Sequence, residues 1–359
     1  MKLIIFPGNF VPHIGGLETH VDEFSKYYSK YASITIFTPK VKNSLEKEIR
    51  HNNVKVIRYP AIQIGRDIFL PNLFSCKFWK LYKKIKKENF NFSMTRTRFF
   101  PNTLLGFIFS KCNKIKNIHV EHGSGPLITK NKLINFIGKI YDLTISKIII
   151  KKSYKTISIS KAVHDFLLKR YKIETKIITR GLDFDKYKVK EKKLEGKIKI
   201  GFVGRLTKWK GLLNSVEAFN QLNHKDAIFY IIGDGELYKD IKGKNIKLLG
   251  RKSFKETIQI MKNLDIYVHS SYPGGGLSNS LLQAMYCECM IIASPNEGAK
   301  EVINNERGIL LKDNSVSSIK EGLKKVLSGK ISKNKKAKEF IIKNFDWKDK
   351  VKEYKKMLK

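Results

Sequence analysis

Short runs of β-branched and aliphatic residues recur along the whole chain, each followed by a stretch of helical periodicity. This alternation is what most restricts the fold. The first half carries KLIIFPG, SITIFTP, VKVIRY, FNFSMTRT, NIHVEHG and TISIS; the second carries KIKIGFVG, AIFYIIGDG, NIKLLGR, LDIYVHSS, CMIIASP and GILLK. Runs that are apolar at nearly every position belong to strands buried on both faces, as in a parallel sheet covered by helices. So many strands do not sit comfortably in one open sheet. The charged stretch FDKYKVKEKKLEGK, residues 184–197, separates the two series. The expectation is an α/β chain of two doubly wound, Rossmann-like parallel-sheet domains facing across a cleft. Ligands in such folds bind beyond the carboxyl ends of the strands. The predicted domains are 1–187 and 188–342, with a terminal helix over 343–359.

The formal net charge is +39, yet only ten of the 71 basic residues are Arg. Proteins that read nucleic acids rely on Arg for bidentate contacts, and here Lys is spread over the entire sequence. Solvated Lys-rich faces explain this; the alternative is a basic face for anionic lipid or a phosphorylated acceptor. In KFWKLYKKIKK, Phe78, Trp79 and Leu81 are interleaved with Lys as in an interfacial helix. LINFIGKIYDLTISKIII carries Lys139, Asp142 and Lys147, so it is not expected to span a membrane. A buried domain helix is the preferred reading of it, and an amphipathic helix lying on a membrane the alternative. Cys76, Cys112, Cys287 and Cys289 form no CxxC pair, which fits a reducing compartment. The opening MKLIIFPGNF reads as a buried strand interrupted by Pro-Gly, not a signal peptide. The expected location is the cytoplasm, peripheral on the inner face of the membrane.

Several stretches place Gly or basic residues just past a strand. SYPGGGLSNSLLQAM, residues 271–285, is a Gly-rich turn running into a helix predicted to start near Ser278. Its backbone N–H groups suit an anion, most often a phosphate, but it holds no Lys or Arg. GFVGRLTKWKG ends a strand at Gly204 and sets Arg205 and Lys210 on one loop. A guanidinium fork with an ammonium point charge suits a diphosphate. Gly15 and Gly16 are adjacent between the first strand and first helix, so they do not fit G-x-G-x-x-G; a tight turn alone is the alternative. Gly235 lies in a Gly-Asp-Gly turn that turn chemistry explains equally well. EHGSG puts His122 past a strand end, with Gly123 and Gly125 permitting close approach of a ligand. His119 faces the other side of that strand, so the two are not a metal pair. Arg96 and Arg98 share one strand face, for acceptor binding or for a plain ion pair. No Ser-His-Asp elbow, Walker A loop, HExxH helix or zinc spacing appears, so chemistry must come from positioning and anion stabilisation.

In order and spacing, the Gly-Gly loop at 15–16, EHGSG, GFVGRLTKWKG, IIGDGEL, SSYPGGGLSNSLLQAM, NEGAKEVI and FDWKDKVKEYKKML resemble a family. It is the retaining glycosyltransferases of the GT-B fold, family four (glycosyl transferases group 1). The resemblance implies sugar transfer, with retention, from a nucleotide diphosphate sugar to a hydroxyl acceptor on a glycan, lipid-linked or small molecule. It implies that Arg205 and Lys210 bind the donor diphosphate and that His122 sits beside the donor sugar. Gly15 and Gly16 would close over the phosphates, and the last helix would cross back onto the first domain. Gly204, Gly235, Gly276, Leu277 and Ser278 complete the expected donor site, with backbone N–H groups of 276–278 on the leaving diphosphate. No metal is then required, and no nucleic acid is expected as a partner. The family carries two Glu eight positions apart in the Gly-rich stretch, the first against the donor sugar and the second on the ribose hydroxyls. This chain has Gly275 and Gln283 there. A nucleotide-sugar-binding protein with weakened turnover is therefore the alternative function, and a basic nucleic-acid-binding protein a more distant one.

Overall fold

In the computed structural model the described residues are 1–13, 15–64, 68–126, 132–274, 276–329 and 331–358. The chain divides into two compact units, Met1–Leu182 with Trp347–Lys359, and Asp183–Asp346.

The strands of the first unit are β1 (Lys2–Phe6), β2 (Ser33–Pro39), β3 (Lys47–Arg50), β4 (Val54–Tyr59), β5 (Ala61–Gln63), β6 (Phe69–Pro71), β7 (Phe92–Arg96), β8 (Lys116–Glu121), β9 (Lys155–Ser158) and β10 (Lys176–Ile177). Its helices are α1 (Gly16–Tyr28), α2 (Cys76–Lys86), α3 (Pro101–Cys112), α4 (Lys132–Tyr141), α5 (Lys147–Lys152) and α6 (Lys161–Tyr171). The main sheet runs β10-β9-β8-β7-β1-β2-β4-β3 and is parallel except for β3, which pairs antiparallel with β4. Successive side chains of a strand point to opposite faces, and β1 feeds two cores in this way. Leu3 and Ile5 join Val21 and Phe24 of α1 in one, while Ile4 and Phe6 join Phe78 of α2 and Phe109 of α3 in the other.

The second unit has one parallel sheet in the order β13-β12-β11-β14-β15-β16. Its strands are β11 (Ile198–Val203), β12 (Ala227–Ile232), β13 (Ile246–Gly250), β14 (Ile266–His269), β15 (Met290–Ala293) and β16 (Ile309–Leu310). The helices are α7 (Leu212–Leu222), α8 (Phe254–Asn263), α9 (Asn279–Tyr286), α10 (Glu297–Val302), α11 (Val316–Leu327) and α12 (Lys335–Asn344). Ile200, Phe202, Phe229 and Val268 pack with Val216 of α7 and Leu323 of α11. The order reverses beside β11, so the loops after β11 and β14 leave the sheet next to each other, where an open α/β sheet binds ligands.

The last helix, α13 (Trp347–Met357), belongs to the first unit and packs on α1. Trp347 is fully buried; its indole N–H donates to Glu23 Oε2 at 2.9 Å, and its ring lies 5.0 Å from His20. A Cβ at Gly181 would overlap this indole, so the close approach requires glycine. Trp347→Ala is expected to destabilise the first unit by about 3–5 kcal/mol, the usual cost of emptying a buried Trp site. Chemical denaturation would detect this, and an unchanged midpoint would contradict the packing role.

Two helices reverse what their sequences suggest. KFWKLYKKIKK forms most of α2, but its Phe78, Leu81 and Ile85 point into the core, with the Phe78 ring 5.4 Å from Tyr59. Its apolar stripe is not an interfacial one, although Trp79 stays exposed. In contrast, α4 leaves Leu133, Phe136, Ile137 and Ile140 exposed, so it is not a buried domain helix. Both stripes have helical spacing, and spacing alone does not say whether a stripe meets core or surface. Among the described residues no helix is long and apolar enough to cross a membrane.

Candidate active site

Four loops leave the carboxyl ends of the neighbouring strands β12, β11, β14 and β15, and side chains and backbone tie them together. Ser270 Oγ donates to the Lys210 carbonyl at 2.9 Å, and the Tyr272 N–H donates to the Trp209 carbonyl at 3.1 Å. Gly211 makes this approach possible: its φ is +61°, and a Cβ there would overlap the Ser270 carbonyl. From the β15 side, Asn296 Nδ2 donates to His269 Nε2 at 3.1 Å and to the Ser271 carbonyl at 3.2 Å. Glu297 Oε2 accepts from the Gly274 N–H at 2.7 Å.

Arg205 is exposed on this loop, and Lys210 is half-buried. Burial, and then the charge of Arg205, lowers the Lys210 ammonium from its ordinary 10.5. His269 is buried, and burial followed by Lys210 pushes its imidazole down to about 3. It is neutral at pH 7, and because the Asn296 amide donates to Nε2, its proton sits on Nδ1. A desolvated ammonium beside a guanidinium gains most from an anion placed between them. Sequence reasoning missed His269, although it ends a strand in the same way that drew attention to His122.

Ser278 is the N-cap of α9, as predicted, but its side chain makes no capping bond; its Oγ lies 3.1 Å from Ser280 Oγ. The first-turn N–H groups of α9, which no helix satisfies internally, therefore lack that acceptor. Gly276 and Leu277 are buried, and Gly276 has φ +62°. Gly275 lies outside the described residues. Gln283 is half-buried, and among the described residues its amide has no hydrogen-bond partner. The remaining glycines have structural explanations. Gly204 continues the ladder, its N–H donating to the Ile232 carbonyl at 3.0 Å. Gly235 donates to Asp234 Oδ1 at 2.8 Å, and a Cβ there would press on the Leu206 backbone.

In the first unit, His122 follows β8 directly. Glu121, wholly buried, organises its loop: Oε1 accepts from the N–H groups of His122 at 3.0 Å and Gly123 at 2.8 Å. Burial lowers His122 well below 6.5, with Arg96 adding to the effect and Glu121 opposing it. Its Nε2 has no hydrogen-bond partner among the described residues. The ring meets His20 edge to face at 4.8 Å. His20 Nδ1 lies 2.9 Å from Arg96 Nη1, which can only donate, so the His20 proton sits on Nε2.

Neither Arg96 nor Arg98 presents its guanidinium on the surface to an acceptor substrate, for both are 0% exposed. Arg98 takes the ion-pair role, with Nε on Asp142 at 2.7 Å and its other nitrogens on the Gly123 and Gly125 carbonyls. Arg96 stacks over Phe24. At Gly15 and Gly16 the α1 N-terminus faces an anion of the chain itself, since the Glu18 carboxylate lies against Gly15 and is held by His13 at 2.8 Å. A basic groove of about 730 Å³ lined by Lys151, Lys155, Lys172 and Lys176 lies at the amino ends of β9 and β10, away from His122. Among the described residues no group of three His, Cys, Asp or Glu could hold a metal ion.

Residues 14–186 match the family described as Glycosyltransferase Family 4, and residues 183–345 that described as Glycosyl transferases group 1. The solved Anabaena HepE protein in complex with UDP has the same fold, with a TM-score of 0.76 and 17% identity. The match covers 100% of this chain and 99% of that one. These likenesses and the two Rossmann-like units define a GT-B glycosyltransferase. The chain is 47% identical to an uncharacterized glycosyltransferase of Methanocaldococcus jannaschii, over 99% of this chain and 98% of the relative. It is also 23% identical to the phosphatidylinositol N-acetylglucosaminyltransferase GPI3 subunit of Saccharomyces cerevisiae, over 95% of this chain and 78% of that one. The chain belongs to glycosyltransferase family 4, within the group 1 glycosyl transferases.

Proposed function

We propose that the protein transfers a sugar, with retention of configuration, from a nucleotide diphosphate sugar to a hydroxyl acceptor, which we take to be lipid-linked. The desolvated Lys210 beside Arg205 is the observation that carries this reading. As the glycosidic bond to the diphosphate breaks, negative charge grows on the leaving phosphate. Arg205, Lys210 and the N–H groups at the start of α9 stabilise it without reorganising. The protein's own cations do this work, so no metal is required and turnover should be unchanged in EDTA. Neutral His122, with its Nε2 open to a partner, hydrogen-bonds a hydroxyl of the donor sugar. The UDP-bound HepE protein supports a nucleotide donor, and the phosphatidylinositol named for the yeast relative supports a lipid acceptor. With such an acceptor, the location that goes with this reading is the cytoplasm, peripheral on the inner face of the membrane.

A screen of nucleotide sugars for hydrolysis and transfer tests this, with NMR of the product anomer to read retention. Absence of both binding and turnover with every donor would overturn it. The replacement of the family's second carboxylate by Gln283 favours a second reading, binding with weakened turnover, which calorimetry without catalysis would reveal. In either case Gln283 faces the ribose. Gln283→Ala should weaken nucleoside diphosphate binding by about 1 kcal/mol, the scale of one or two hydrogen bonds. Gln283→Glu should bind as well or better, since a carboxylate accepts from both hydroxyls. Equal losses for wild type and Gln283→Ala on removing the 2′ and 3′ hydroxyls would place the ribose elsewhere.

A further inference from the structure

The proposed reaction leaves one surface of the first unit unused. Along α4, Leu133, Phe136, Ile137 and Ile140 follow i, i+3, i+4, i+7 spacing and are 65%, 61%, 56% and 48% exposed. The row continues through Leu143 of the π-helical turn Asp142–Ser146 to Ile148 of α5, both also exposed. Single exposed apolar residues are ordinary, but a continuous row marks a contact surface.

Charge identifies what meets it. Exposed Lys132, Lys139, Lys147, Lys151 and Lys152 accompany the row. The only carboxylate between residues 132 and 152 is Asp142, which is 1% exposed and turned inward to Arg98. An apolar stripe with ammonium groups about it and no exposed carboxylate matches a bilayer surface with anionic headgroups. A second copy of the chain fits poorly, because it would press two such Lys-bearing faces together in a molecule of charge +39.

We propose that α4 and the turn after it lie in the interfacial layer of an anionic membrane, with the apolar row among the acyl chains and the lysines at the headgroups. The proposal deepens the lipid-linked acceptor reading and rests on it. Asp142 gives the docked helix a fixed orientation: it accepts from Arg98 Nε at 2.7 Å, from the Tyr171 hydroxyl at 2.5 Å and from Arg170 Nη2 at 3.3 Å. Because Arg98 also holds the Gly123 and Gly125 carbonyls, the helix and the His122 loop share one anchor.

The test is co-sedimentation of the full chain with vesicles of phosphatidylcholine, alone or mixed with phosphatidylglycerol. The wild type should partition onto the mixed vesicles at low salt and release as salt rises. A Phe136→Ser, Ile137→Ser, Ile140→Ser triple variant, altered only at exposed positions, should bind about 10-fold or more weakly. Lys139→Glu with Lys147→Glu should lose the preference for anionic vesicles. Phe136→Trp should gain a blue-shifted emission on adding mixed vesicles. Equal binding by wild type and the triple variant would overturn the proposal. So would a concentration-dependent dimer abolished by the triple variant, or a row that captures protein partners and ignores vesicles. Vesicle binding needs no donor, so the two readings fail separately. Nucleotide-sugar turnover on a soluble acceptor without vesicle binding removes only this inference, and vesicle binding without any turnover removes only the transferase reading.

Discussion

Lys210→Ala is expected to lower kcat by about 100-fold or more, and Arg205→Ala by a similar factor, the usual loss when one preorganised donor to a developing anion is removed. A 100-fold loss corresponds to about 2.7 kcal/mol of transition-state stabilisation. The structure argues against a general collapse in the Lys210 variant. Folding has already made the Lys210 ammonium less favourable, through burial and then Arg205. Removing it relieves that strain, so the thermal midpoint should hold or rise while turnover falls. The double variant should lose less than the product of the single losses, because both cations act on one diphosphate. Single-turnover rates together with nucleoside diphosphate affinities decide the matter. Near-normal turnover in both single variants would remove the clamp.

Most of the strands that sequence alone identifies are buried on both faces, because such strands are apolar at nearly every position. The others, β13, half-buried throughout, and the two-residue edge strand β16, are found because NIKLLGR and GILLK are apolar runs of the same kind. The twelve runs quoted from the sequence correspond to β1, β2, β4, β7, β8, β9 and β11 to β16. What escapes is short or one-sided and lies in none of the quoted apolar runs, such as the GILLK that betrays β16. In β3, KEIR alternates exposed and half-buried positions at the antiparallel edge, and β5, β6 and β10 are two or three residues long. The site divides in a similar way. Arg205, Lys210 and the Gly-rich turn are visible because their residue types are unusual beyond a strand. Glu121 and His269 are hidden because their importance comes from neighbours distant in sequence, Arg98 for one and Asn296 for the other. Which stripe is covered by the fold is also decided by tertiary contacts: Tyr59 and Phe109 cover that of α2, and that of α4 is left exposed.

Glu121→Ala is expected to destabilise the first unit by about 3–5 kcal/mol, because it removes one of the two carboxylates that balance the buried Arg98 and the acceptor of the Arg98, His122 and Gly123 backbone N–H groups. The carboxylate accepts from the backbone N–H of Arg98 at 3.0 Å, faces its Nη1 at 3.2 Å, and lies 3.1 Å from His119 Nε2. Burial alone would raise its pKa, but the Arg98 charge and the His119 hydrogen bond outweigh it and hold the group well below its ordinary 4.5. A depressed folded value means that the unfolded chain binds the proton first. The stabilisation is therefore complete above about pH 4.5 and is lost as pH falls below it. His20 and His122 act in an earlier window. Burial, then Arg96, holds both well below 6.5, so the unfolded chain takes up their protons from about pH 6.5 downward and stability already declines there. The expected profile falls gently below about pH 6.5 and steeply below about pH 4.5. Glu121→Gln should abolish most of the steep part and leave the gentle part, and it keeps the test open if the alanine variant does not fold. A Trp209→Phe background confines the fluorescence signal to Trp79 and Trp347, both in the first unit. If Glu121→Gln unfolds with the wild-type slope between pH 5 and pH 3, Glu121 is not the group whose protonation releases the His122 loop.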